Sequence, residues 1–217
     1  MSPDNPWLRV SAADYEGHMG HPSVSQLGFL SEQFRLQLEA TGARRIAVLG
    51  CATGNGFDAV DPARVERLLG VDINPEYLAL AEARHRSRFG ARLALRCANL
   101  DDPQAAVAAL APGGYALINA ALLFEYLDPA RLLPVIAGAL EPGGVLAVVL
   151  QLPSPTLPAV SATPFTGVRV LEPFLALRET AALEAEAAAA GLILCAHGET
   201  ALPSGKRFAL RSWCRAD

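Results

Sequence analysis

Three glycines and an aspartate carry the first sign of chemistry. The run Ile46-Ala47-Val48-Leu49-Gly50-Cys51-Ala52-Thr53-Gly54-Asn55-Gly56 is an apolar strand entering a loop of small residues. Gly50, Gly54 and Gly56 let the backbone come close to a ligand, and a helix opening after such a loop offers unpaired N–H groups. The spacing is G-x-x-x-G-x-G, not the G-x-G-x-x-G of dinucleotide binders. Further on, Asp72 ends the apolar run Leu68-Leu69-Gly70-Val71-Asp72, followed by Ile73. An acid at a strand end there can accept both hydroxyls of a ribose. Helix capping is the competing use for such an acid, and Asn74 already fills that role.

Two further stretches join these. In Cys97-Ala98-Asn99-Leu100-Asp101, the Asn99 amide can accept from an exocyclic amine and the Leu100 N–H can donate to a ring nitrogen; a turn capped by Asp101 is the plainer alternative. Asn119-Ala120-Ala121-Leu122-Leu123-Phe124-Glu125-Tyr126 stands at the end of another apolar run, where open parallel sheets hold their ligands. Upstream, Asp14-Tyr15-Glu16-Gly17-His18-Met19-Gly20-His21 carries two histidines three apart. Gly17, Gly20 and Pro22 argue against a regular helix there. The four cysteines form no CxxC pair, so no metal site is expected.

These residues need a frame, and the sequence alternates short apolar runs with longer helical stretches, the pattern of a parallel sheet covered on both faces. A helix is predicted over 23–41, with Leu27, Leu30, Phe34 and Leu38 on one side and Gly42 as its stop. Strands follow near 45–50, 68–72, 92–97, 115–120 and 144–151. Helices are predicted at 56–67, from Pro75 to Arg88 capped by Asn74, at 102–110, and from Pro129 capped by Asp128. Residues 151–173 hold five prolines and read as a long ordered connection. A helix over 173–190, stopped by Gly191, precedes strands at LILCAHGE and KRFALRSWCR. Those last two should form an antiparallel hairpin at the sheet edge.

Composition bounds the function. The chain has 217 residues, 52% hydrophobic and 18% charged, which allows one domain with a sizeable core. A net charge of -4 lacks the basic footprint of a nucleic-acid binder. No run approaches the roughly 18 apolar residues of a membrane span. The start MSPDNPWLRV has neither a basic region nor an apolar stretch, so no secretory leader is expected and the cytoplasm is the expected location. Abundant alanine, and Lys206 as the only lysine among 18 basic residues, suggest a GC-rich bacterial genome.

In their order and spacing, LGCATGNG, GVDINPEYL, the Asn99 segment, FEYLDP and LEPGGVLAVV resemble the class I S-adenosylmethionine-dependent methyltransferases, over about residues 44–151. The resemblance implies a Rossmann-like, seven-stranded, mostly parallel α/β sheet with helices on both faces and the last strand antiparallel. It also implies a domain at 44–217 behind an N-terminal lid and helix at 1–43. S-adenosylmethionine would be the cofactor and S-adenosylhomocysteine the product. Carried over, the methionine part falls to Gly50, Cys51, Ala52 and Gly54, the ribose to Asp72 with Ile73, and the adenine to Asn99 and Leu100. The methyl group would border Asn119, Ala120, Leu122 and Leu123, and the lid would contribute Tyr15, His18 and Gln26. Val48 stands where the family commonly has an acid, Ala52 where it has a second glycine, and Asn99 where it has aspartate. Backbone carbonyls or N-terminal residues are then left to hold the methionine amine.

Methyl transfer is an in-line displacement at an activated carbon, so the protein mainly orients its reactants and excludes water. A base is required only if the acceptor must lose a proton, and the candidates are His18, Glu125 and Tyr126. The expected partner is a small-molecule methyl acceptor, with no nucleic acid and no membrane; the oligomeric state is open. A non-catalytic regulatory protein binding S-adenosylmethionine or S-adenosylhomocysteine is the alternative. A nicotinamide-dependent oxidoreductase is a third possibility, which the glycine spacing opposes.

Overall fold

The computed structural model describes residues 5–216, so Met1 to Asp4 of the N-terminal stretch lie outside the described residues. Seven strands form one sheet: β1 (Arg45–Leu49), β2 (Arg67–Asp72), β3 (Leu93–Cys97), β4 (Tyr115–Ala121), β5 (Leu140–Gln151), β6 (Leu192–Ala201) and β7 (Arg207–Arg215). Their order is β3-β2-β1-β4-β5-β7-β6. The first five pair in parallel, while β7 runs antiparallel to both β5 and β6. This is the expected Rossmann-like sheet with an antiparallel hairpin at its edge. The chain runs outward from β1 through β2 to β3, then returns to place β4 on the other side of β1. The carboxyl ends of β1 and β4 therefore flank the switch point at which such sheets bind ligands.

Helices cover both faces. On one, Phe34 of α2 (Gln26–Thr41) and Leu78 and Phe89 of α3 (Pro75–Phe89) pack on Ile46, Leu68 and Leu117. On the other, α4 (Pro103–Leu110), α5 (Pro129–Ala139) and α6 (Thr180–Ala189) set Leu110, Leu133, Ile136 and Leu183 against Leu49, Ile118, Leu146 and Trp213. Three of these helices begin alike. Asn74, Asp102 and Asp128 each accept a backbone N–H of the first turn, and each is followed by proline. Both features favour a helix start.

Four local expectations fail for physical reasons. No helix forms over 56–67. Gly50, Gly54 and Gly56 all hold positive φ, and the segment proceeds through turns and a short 3₁₀ stretch at Phe57–Ala59, pinned by buried Phe57, Val60 and Val65. A helix does form at α1 (Ala12–Gly20), where glycines argued against one. Ser11 caps it through the Asp14 N–H, and Gly17 is there for room, since a Cβ would overlap the Phe165 ring. The helix predicted over 173–190 is reduced to α6. Residues 166–174 are 3₁₀, and beyond them the Ala176 N–H donates to Glu125 O over 2.8 Å while Arg178 Nε donates to Phe124 O over 2.7 Å. The fifth strand starts earlier than 144, because Leu140 already pairs with Tyr115 ahead of an irregularity in register.

Candidate functional site

A cavity of about 250 Å³ lies over the carboxyl ends of β1, β2, β3 and β4. Its floor begins at the glycine loop. Gly50 N–H and Cys51 N–H both donate to Val71 O, which turns the chain sharply off β1. Gly50 has φ +67°, and Ala52 is held at +46°, a conformation L residues rarely adopt. Leu122, at the end of β4, is held at +53°. Strained non-glycine residues of this kind concentrate where a ligand is bound, and both line the cavity.

Asp72 ties the floor together. Its Oδ2 accepts the Ala52 N–H over 2.8 Å and its Oδ1 accepts the Asn74 N–H over 2.9 Å. Burial raises its pKa to about 6, against the lowering effect of those N–H groups. Each oxygen retains a second lone pair for a ligand hydroxyl. Ile73, Ala98 and Leu100 supply apolar wall beside it, and Asn99 lies at the same rim. The Asn99 Oδ1 already accepts the Asp101 N–H over 3.1 Å, so the expected adenine contact would use its remaining lone pair.

The N-terminal segment closes this half. Asn74 Nδ2 donates to Trp7 O and the Tyr77 hydroxyl donates to Val10 O over 2.9 Å. The Trp7 ring meets Tyr126 edge-on at 5.0 Å, and Tyr15 lies 5.5 Å from Tyr77. α1 is latched to the glycine loop: Asn55 Nδ2 donates to the Tyr15 hydroxyl over 2.6 Å, and Glu16 receives both the Thr53 hydroxyl and the Arg84 guanidinium. Burial pushes the Tyr15 and Tyr126 hydroxyls well above their ordinary range, which keeps both protonated at neutral pH.

The other half is apolar with one polar pole. Met19, Leu30, Val160, Val168 and Leu171 form its walls. The pole joins His18, Gln26, Glu125, Gln151 and Lys206. His18 Nδ1 lies 3.0 Å from Thr163 Oγ1, and burial lowers its pKa, so the ring is neutral near pH 7. Glu125 is 1% exposed. Its Oε1 accepts the Gln151 N–H over 2.7 Å, while its Oε2 has no partner among the described residues. Burial raises this carboxyl to about 7.

The structure thus gathers Tyr15, His18, Gln26, Gly50, Ala52, Asp72, Ile73, Asn99, Leu100, Leu122, Leu123, Glu125 and Tyr126 around one cavity. It leaves four expected residues outside the lining. Cys51 is buried beneath the loop in the opposite core, and Gly54 faces His85. Asn119 donates from Nδ2 to Gln37 of α2 over 2.8 Å, and Ala120 is buried in the core under α5. Strand alternation accounts for the last pair: side chains before the strand end point to the two sheet faces, and only the residues past it face the crevice. Sequence reasoning missed Trp7, Tyr77, Gln151 and Lys206. For Lys206 a signal existed, since one lysine stands among 17 arginines; for Gln151 the signal was a polar residue closing an apolar strand.

Comparison with known proteins adds a domain-level match and a set of structural likenesses. A family model described as a methyltransferase domain matches residues 48–146, from the end of β1 into β5. No curated protein matches the chain in sequence. Among solved structures, the chain is similar to an S-adenosylmethionine-dependent methyltransferase from Mesorhizobium loti, at 19% identity and TM-score 0.67, covering 87% of this chain and 100% of that one. It is also similar to the N-methyltransferase NodS from Bradyrhizobium japonicum in complex with S-adenosylhomocysteine, at 17% identity and TM-score 0.63, with 90% and 89% covered. The (4+2)-cyclase SpnF shares the fold as well, at 15% identity and TM-score 0.66, with 86% and 81% covered.

Proposed function

We propose that this chain is a class I S-adenosylmethionine-dependent methyltransferase that transfers the methyl group to a small molecule held in the apolar half of the cavity. One observation supports this above the others: the ends of β1, β2 and β3 border the same continuous space as the separate pole of His18, Gln26, Glu125 and Gln151. Two reactants can therefore meet inside one cavity. When bound, S-adenosylmethionine supplies an electrophilic methyl on a sulfonium and leaves as S-adenosylhomocysteine.

The residues present fit that cofactor. Asp72 keeps lone pairs for the ribose, Asn99 and Leu100 border the adenine, and Gly50, Ala52, Leu122 and Leu123 lie against the methionine end. On this reading the described residues before 44 serve as lid and entrance helix over the domain that follows. Trp7 and Tyr15 exclude water from the reacting atoms, which strengthens electrostatic interactions there. Glu125 is the preferred base among the three candidates. Burial raises its carboxyl to about 7 and one of its oxygens has no partner among the described residues, the chemical match a general base needs. Tyr126 is held too firmly protonated to serve, and His18 is engaged with Thr163 of the connection at 151–173, the strap over this half of the cavity.

A small-molecule acceptor is favoured by the concave, largely apolar lining and by the net charge of -4, which lacks the basic footprint of a nucleic-acid binder. No helix among the described residues is long and apolar enough to cross a membrane. A cytoplasmic, bacterial setting is the one we favour from composition. The experiment is incubation with methyl-tritiated S-adenosylmethionine and a cell extract separated by size. Label in the fraction below about 1 kDa is expected; label confined to protein or nucleic acid would contradict it.

A further inference from the structure

The only lysine of the chain is placed where a lysine is costly. Lys206 is 4% exposed and its side chain reaches the cavity from the turn before β7. Its ammonium donates to Ala159 O over 2.6 Å and, at 3.4 Å, to Gln151 Oε1. The third donor has no partner, and no carboxylate pairs with the ammonium among the described residues. Glu125 answers the Gln151 N–H instead. His18, a titratable group across the pole, is neutral near pH 7 and supplies no counter-charge. A buried cation without a counter-charge is strongly unfavourable, and the usual resolution is an anion or a neutralised amine.

A second donor stands beside it. Gln26 Nε2 also reaches Gln151 Oε1 at 3.4 Å, so the ammonium and the amide converge on one oxygen, each with an N–H to spare. Two convergent donors, one of them charged, match the two oxygens of a carboxylate. The walls beyond them, Val160, Val168 and Leu171, are apolar.

We propose that the methyl acceptor is a small monocarboxylic acid, anchored by its carboxylate on Lys206 and Gln26 with its apolar body against the 160–171 strap. This rests on the methyltransferase reading of the cavity and names the substrate class for it.

The test is calorimetric titration at pH 7 of matched acid and amide pairs: phenylacetate and phenylacetamide, 3-phenylpropanoate and its amide, hexanoate and hexanamide. Each pair is run with and without saturating S-adenosylhomocysteine, on wild type and on Lys206→Met. At least one acid should bind tenfold or more tighter than its amide, and Lys206→Met should erase that advantage while holding S-adenosylhomocysteine within about threefold. Equal binding of acids and amides, no binding of any acid, or an advantage that survives Lys206→Met would each overturn the proposal. If Lys206→Met does not fold, the wild-type ratio of acid to amide decides alone. Failure of S-adenosylhomocysteine to bind would instead count against the methyltransferase reading, and the acid-to-amide ratio measured without it remains a separate result.

Discussion

The backbone N–H of Gln151 donates to Glu125 Oε1 over 2.7 Å, joining the last residue of β5 to the loop after β4. That bond fixes one carboxylate oxygen and leaves the other without a partner inside the cavity wall. The Ala176 N–H and the Arg178 guanidinium hold the same loop from its other side through the carbonyls of Glu125, Phe124 and Leu127. An acid clamped this way is oriented, buried and poised near neutrality.

If Glu125 is the base, activity should rise with an apparent pKa of about 7, as the buried carboxyl ionises. Glu125→Gln keeps the shape and should lower kcat by about 10²–10⁴-fold, the range for losing a general base. It should also remove the rise. A pH–rate profile of both proteins checks this; an unaltered profile in the variant assigns Glu125 a structural role.

Asp72→Ala should weaken S-adenosylhomocysteine binding by roughly 1.5–3 kcal/mol, the scale of hydrogen bonds to a charged group. The apo protein should lose some stability too, since the Ala52 and Asn74 N–H groups lose their acceptor. Titration calorimetry with a thermal scan separates the two effects. A folded variant with unchanged affinity would remove the ribose assignment.

How far the sequence reached depended on the range of the forces involved. The starts of α3, α4 and α5 were legible because Asn74, Asp102 and Asp128 act within their own first turn. The strand order followed from alternation and general topology rules. What escaped was set by distant partners. Gly17 sits in a helix because Phe165 needs the space, and residues 175–179 stay out of α6 because they bond to the loop at 124–127. Among site residues, Asp72 and Asn99 could be placed from their strand ends. Lys206 and Gln151 stand out by residue type alone, but their meeting in the cavity depends on the antiparallel pairing that sets the end of β5 beside the start of β7.

The contact between α1 and the strap gives a coupling prediction. Gly17→Ala puts a methyl into the Phe165 ring and should cost about 1–3 kcal/mol of stability, as overpacking does. Phe165→Ala in the same chain should restore part of that loss. Denaturant unfolding of the two single variants and the double variant measures the interaction energy; simple additivity would place Phe165 away from α1.

Stability should follow pH through the buried groups of the site. Asp72 and Glu125, at about 6 and about 7, hold protons more tightly folded than unfolded. Between about pH 4 and 7 the native state is the more protonated, so their contribution falls as pH rises. Lys206, lowered by burial from 10.5 to about 8, acts in the higher window: the unfolded chain binds the extra proton, and stability recovers as pH climbs from about 8 to 10.5. The apo melting temperature of Glu125→Gln should lose part of the first slope relative to wild type, and that of Lys206→Met the second. Parallel curves for all three proteins would contradict the burial of these charges.

The central claim is that the cavity over β1, β2 and β3 takes the adenosyl cofactor. Thermal unfolding with S-adenosylmethionine, S-adenosylhomocysteine and NAD in parallel tests it most directly. A ligand at a hundred times its dissociation constant adds roughly 2.7 kcal/mol, a rise of about 5–11 °C for a domain of this size. The expected result is that rise with both adenosyl ligands and none with NAD. A rise with NAD alone, or with none of the three, would contradict the claim.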